Sequence, residues 1–216
     1  MKTKNLKVEL RELLRKTTAI LWIMKGVFSK RGIFYILTRF GGSSLRRRAL
    51  DCNYVTGGWD LLDKERSPEM TEVVKKYIGQ GDILELGCGV GTLADTLGPE
   101  AFKSYVGVDA SREAISKALR TKNAKMDFVV GDIQSYKCKR KYDLIIFEES
   151  LYYVNPFFRR RVLKKNAQHL KDNGLFIVTV ADPQRFAKMI RMICKNFEIA
   201  EKRHFSGSDR LLLVFH

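Results

Sequence analysis

The run Ile83-Leu84-Glu85-Leu86-Gly87-Cys88-Gly89-Val90-Gly91-Thr92-Leu93 constrains this chain more than any other segment. It reads as a buried strand with an acid near its end, a glycine-rich turn and the start of a helix. Glycine is needed where the backbone turns sharply, or where another group approaches too closely for a β-carbon. The spacing is G-x-G-x-G, and Thr92 stands where a dinucleotide-binding loop would carry its third glycine. Such a loop alone is weak, because ordinary turns also use glycine.

Its surroundings give it weight. Short apolar runs at residues 82–86, 105–109, 128–130, 143–147 and 175–180 read as strands, and residues 110–120, 157–170 and 184–194 between and after them read as helices. That alternation predicts an α/β, Rossmann-like, doubly wound sheet of seven mostly parallel strands. Residues 197–205 and 211–215, flanking Ser206-Gly207-Ser208, predict a C-terminal antiparallel hairpin. Upstream, Ser67-Pro68 predicts a helix start, with Met70, Val73, Val74, Tyr77 and Ile78 on one face.

Asp109 closes the second predicted strand and Gly131-Asp132 the third, so with Glu85 three acids end strands on one edge. In open α/β sheets that carboxyl-end edge is where ligands bind. A single strand-end aspartate is commonly just a helix cap. Independent turns, however, need not reproduce an ordered set at this spacing.

On these residues, positions 80–216 resemble the class I S-adenosylmethionine-dependent methyltransferases. Glu85-x-Gly87-x-Gly89-x-Gly91 is similar to that family's first motif, Asp109 to its second, and Gly131-Asp132-Ile133 to its third. Residues 142–147 and 170–175 are similar to the fourth strand and to the loop before the fifth. The resemblance implies S-adenosylmethionine as cofactor. The backbone of Gly87, Cys88, Gly89 and Gly91 would cradle it, with Glu85 at its methionine end, Asp109 and Ala110 at the ribose, and Asp132 and Ile133 at the adenine. Tyr54 and Trp59 lie in a segment that folds over the cofactor in similar enzymes, where an aromatic lid suits a sulfonium.

Methyl transfer from a sulfonium mainly requires alignment of the acceptor, with a general base if the acceptor is a hydroxyl. No metal is expected. Glu148 is a candidate for the cofactor's amino group, and Glu149 and His204 are candidate bases. The stretch after the fourth strand, Phe147-Glu148-Glu149-Ser150-Leu151-Tyr152, lacks the Asn/Asp-Pro-Pro-aromatic tetrapeptide of base-modifying amino methyltransferases. A small molecule or glycan is therefore the expected acceptor, methylated on O or N. RNA methylation and a cofactor-binding relative without catalysis are the alternatives.

Charge divides the 216 residues unevenly. Residues 1–50 hold 13 Lys/Arg against Glu9 and Glu12, a net +11 of the chain's +16. A basic appendage fits that distribution better than a uniformly basic catalytic face, which makes nucleic acid the less expected partner. Leu6, Leu10, Leu13, Leu14, Leu21 and Met24 recur at helical spacing, so residues 4–28 predict a basic amphipathic helix. The expected organisation is an arm over residues 1–50, a cap segment and lead-in helix over 51–79, and a core over 80–216. Such an arm suits peripheral contact with an inner membrane surface. No signal peptide or spanning segment is read, and four scattered cysteines (Cys52, Cys88, Cys138, Cys194) suggest reduced thiols in a cytoplasm. The sequence specifies no oligomeric state.

Overall fold

The computed structural model describes residues 30–59 and 68–216. The amphipathic helix expected over residues 4–28 and the cap at Ser67 lie outside the described residues. Three helices come first: α1 (Lys30–Phe40), α2 (Ser43–Val55) and α3 (Pro68–Ile78). Then follow β1 (Asp82–Leu86), α4 (Thr92–Leu97), β2 (Ser104–Asp109), α5 (Arg112–Ala118), β3 (Met126–Val130) and β4 (Tyr142–Phe147). The chain continues through α6 (Arg159–Ala167), β5 (Leu170–Val180), α7 (Ala187–Asn196), β6 (Ile199–His204) and β7 (Leu211–Phe215).

The seven strands form one sheet, the number the sequence predicts, in the order β3-β2-β1-β4-β5-β7-β6. Strands β1 to β5 pair in parallel, and β7 is antiparallel to both β5 and β6. The reversal of winding falls at β1, which lies between β2 and β4. That crevice at the carboxyl ends is where an open sheet of this kind receives a ligand.

Alternation along the strands divides the core into two layers. Leu84, Leu86, Val106, Val108, Ile145 and Phe147 pack on one face with Val162 and Leu163 of α6 and Met189 and Ile193 of α7. Ile83, Tyr105, Leu144 and Ile146 pack on the other with Met70 and Val73 of α3, Leu93 and Leu97 of α4 and Ile115 of α5. Each such side chain contributes about 1.5–3 kcal/mol on leaving water. Glu85 shares the parity of Ile83, which turns a carboxyl into the second layer beside Tyr105.

Two differences from the sequence reading matter for the site. A continuous helix, α2, crosses residue 50, where the charge pattern placed the end of an arm. Strand β5 begins at Leu170 rather than 175, with its register against β4 shifting between Tyr142 and Leu144. Among the described residues no helix is long and apolar enough to cross a membrane.

Candidate active site

A cleft of about 200 Å³ opens at the carboxyl ends of β1 to β4. Its floor is the turn after β1, where the N–H groups of Gly87 and Cys88 donate to the Val108 carbonyl at 2.7 and 3.1 Å. Gly87 has φ +91°, and a β-carbon there would lie 2.3 Å from Cβ of Ser150. Only glycine lets the turn pass so close to the segment after β4. Beside it, Asp109 accepts from the Gly89 N–H at 3.1 Å on Oδ2 and from the Ser111 N–H at 2.8 Å on Oδ1. Two backbone donors thus fix the orientation of its carboxylate at the tip of β2.

Glu85 is buried, and the Tyr105 hydroxyl donates to its Oε2. Burial pushes its carboxyl well above the ordinary range, and the nearby charges of Glu148 and Asp109 push it further. Glu148 is raised to about 7, chiefly by burial, with Glu149 adding and Arg210 opposing. In a chain of net charge +16, this wall concentrates carboxyl groups that repel one another. A cationic ligand would relieve that repulsion, so the residues fit a cofactor with a sulfonium and an ammonium group.

The opposite wall comes from the segment before the sheet. Arg46 of α2 makes an ion pair with Oδ2 of Asp132, and its Nε and Nη2 donate to the carbonyls of Thr38 at 2.6 Å and Gly41 at 3.0 Å. One turn further along α2, Asp51 accepts from the Ser111 hydroxyl at 2.6 Å and the Arg112 N–H at 2.8 Å. Its negative charge meets the positive end of α5 there. Next comes an aromatic group in which the Tyr54 and Trp59 rings are 4.6 Å apart, with Phe34 5.6 Å and Tyr153 6.2 Å from Trp59.

Of the residues predicted from sequence, Glu85, Gly87, Cys88, Gly89, Asp109, Ala110, Asp132, Ile133, Glu148, Glu149, Tyr54 and Trp59 line this one cleft. Gly91 does not. It caps α4 at φ +81°, and a β-carbon there would press on the Phe128 ring at 3.0 Å, so backbone and packing both call for glycine there. His204 is a correction. Strand β6 alternates inward and outward, and His204 falls on the exposed side with Nδ1 3.2 Å from the Asp209 carbonyl, outside the cleft.

Glu149 lines the cleft with Oε2 engaged and with Oε1 buried and accepting no hydrogen bond among the described residues. Its Oε2 accepts from the Tyr152 hydroxyl at 3.0 Å and the Ala181 N–H at 2.7 Å, and Arg210 lies 3.4 Å from its Oε1. Its backbone, at φ +49°, is pinned by its N–H donating to Oγ1 of Thr179 at 3.0 Å. Burial raises its carboxyl, and the unshared Oε1 leaves Glu149 able to accept a proton. Burial also raises the Cys88 thiol, which leaves it a packed, unreactive residue. Among the described residues no cluster of side chains suits a metal ion.

Sequence reasoning missed Arg46, Asp51, Tyr105 and Arg210. The first two sit on a helix that Gly41-Gly42 and the arginine run concealed. Tyr105 was visible only as a strand residue.

Comparison with known proteins places the site in a family. The model of a methyltransferase domain matches residues 60–209. The chain therefore belongs to the class I S-adenosylmethionine-dependent methyltransferases. Nodulation protein S of Azorhizobium caulinodans is 36% identical over 99 residues, 45% of this chain and 47% of that protein. Ubiquinone biosynthesis O-methyltransferase of Pelagibacter ubique is 34% identical over 104 residues, 45% of this chain and 41% of that protein. The match thus spans about half the length of these curated relatives. The crystal structure of the N-methyltransferase NodS from Bradyrhizobium japonicum WM9, in complex with S-adenosyl-L-homocysteine, superposes with a TM-score of 0.64. It is 21% identical, with 78% of this chain and 96% of that one covered, and shows the same fold.

Proposed function

We propose that this chain transfers a methyl group from S-adenosylmethionine to an oxygen or nitrogen atom of a small molecule or glycan. The observation that carries the reading is the gathering of Glu85, Asp109, Asp132 and Glu148 around one cleft, above a glycine turn at the winding reversal of the sheet. When bound, the cofactor supplies an electrophilic methyl group on a sulfonium. Glu85 and Glu148 would hold its cationic end, and Asp109, fixed by two N–H donors, would accept from the ribose hydroxyls. Tyr54 and Trp59 exclude water from above. Glu149 holds Tyr152 and Arg210 in place along the acceptor side.

The ubiquinone biosynthesis O-methyltransferases among the relatives support a small molecule as the acceptor class. The test is twofold. Calorimetry should detect S-adenosylhomocysteine binding to the wild type that Asp109→Ala weakens at least tenfold, the loss expected for a hydrogen bond to a charged group. Acceptor pools incubated with methyl-labelled S-adenosylmethionine should then yield a labelled product. Binding that ignores Asp109→Ala would overturn the ribose assignment.

Within the same reading, the leading segment touches anionic lipid. Ile33, Ile36 and Phe40 are exposed at helical offsets along one face of α1, and the first 50 residues carry most of the chain's excess positive charge. Both features support peripheral contact.

A further inference from the structure

On the outer side of the wall formed by Tyr152 and Tyr153, three guanidinium groups converge. Arg39 of α1 donates from Nε to the Tyr152 carbonyl at 2.9 Å. Arg159 of α6 donates from Nη2 to the same oxygen at 2.8 Å and from Nε to the Val154 carbonyl at 3.1 Å. Arg185, in the turn before α7, has its guanidinium carbon 4.3 Å from the Tyr35 ring centre, and that of Arg39 is 4.6 Å from the same centre. Both also face Phe186, at 5.6 and 5.3 Å.

Among the described residues no carboxylate lies within ion-pair distance of Arg39, Arg159 or Arg185. Nη2 of Arg39 is buried and has no hydrogen-bond partner among the described residues. Burial lowers the proton affinity of Arg39 and the adjacent Arg185 lowers it further, while Arg159 falls to about 10 through burial and Arg39. The Tyr35 and Phe186 rings offset part of this repulsion. A buried N–H without an acceptor remains, among charges that disfavour one another.

We propose that Arg39 and Arg185, backed by Arg159, form a subsite for a carboxylate or phosphate carried by the acceptor. The inference rests on the methyltransferase reading and deepens it: the acceptor is an anion with an apolar body, rather than a neutral sugar. Guanidinium forks match the oxygens of both anions in a bidentate way. The stacked rings of Tyr35 and Tyr153, 6.1 Å apart, carry the surface from this subsite to the cleft that Tyr153 lines.

The probes are phenyl phosphate and benzoate, with phenol as the neutral control, titrated calorimetrically into the full chain with and without S-adenosylhomocysteine. The wild type should bind both anions and not phenol, and the tighter of the two tells phosphate from carboxylate. Arg185→Gln, at an exposed position, should weaken anion binding about tenfold, the lower end for a charge-assisted hydrogen bond. Lys103→Gln removes one charge at the opposite end of the sheet and should change it less than about twofold, since screening limits long-range effects. Equal losses in the two variants, or equal binding of phenol, would overturn the subsite. Failure of S-adenosylhomocysteine to bind the wild type would instead sink the methyltransferase reading, with the anion titration still readable on its own.

Discussion

Arg46 and Asp132 form an ion pair that joins α2 to the tip of β3, with only about a tenth of each side chain exposed. The acid that the family resemblance assigns to the adenine is therefore already engaged by a residue from outside the sheet. Arg46 is in turn fixed by the carbonyls of Thr38 and Gly41, so the pair acts as a latch between α2 and the core.

Arg46→Gln should lower the unfolding free energy of the cofactor-free protein by about 1–3 kcal/mol, between the cost of breaking a surface pair and a fully buried one. Urea unfolding followed by circular dichroism measures this. A loss within the scatter of surface substitutions would mean that other contacts hold α2 in place.

The raised carboxyl of Glu148 makes cofactor binding depend on pH. In the folded protein it titrates at about 7, against an ordinary value of 4.5, so between these pH values the folded state holds a proton that the unfolded chain has released. The stability this contributes is complete below 4.5 and lost as pH rises through 7. Ionisation favours a cationic ligand, so affinity for S-adenosylmethionine should rise from pH 6 to 8 with release of a proton below 7. Calorimetry in buffers of different ionisation enthalpy reads that proton. Glu148→Gln should flatten the profile.

Two glycines with left-handed backbones provide a contrast. Gly87→Ala adds a β-carbon 2.3 Å from Cβ of Ser150, whereas at Gly98, with φ +74°, the added carbon meets nothing within 4 Å. Both variants incur backbone strain of about 1–2 kcal/mol. Gly87→Ala should cost about 1–3 kcal/mol more through overpacking and should abolish S-adenosylhomocysteine binding. Thermal unfolding of the pair separates strain from collision.

Much of this site could be read locally. A strand, a glycine turn and an acid at each strand tip are neighbours in sequence, so their pattern survives without knowledge of the fold. The latch could not be read that way. Arg46 and Asp132 are 86 positions apart, and nothing in Arg46-Arg47-Arg48 reveals which of the three turns inward until the phase of α2 is known. His204 failed for a different reason. Reach was inferred from the hairpin, but strand parity decides facing, and β6 turns that residue outward.

The proposed lipid contact is tested by flotation with vesicles containing phosphatidylglycerol. Ile36→Ser and Phe40→Ser, both at exposed positions, should each reduce recovery, and added salt should reduce it for every variant. Recovery that ignores both substitutions would remove α1 from the contact.

Because α2 carries Arg46, Asp51 and Tyr54 on one rod, the roof of the cleft is not a separable appendage. A truncation made at residue 50, where the charge pattern invites a cut, would halve that rod and leave Asp132 and Tyr54 without their scaffold. A shortened version that keeps the ligand chamber whole must retain both α1 and α2, since Thr38 holds Arg46 and Phe34 packs on Trp59.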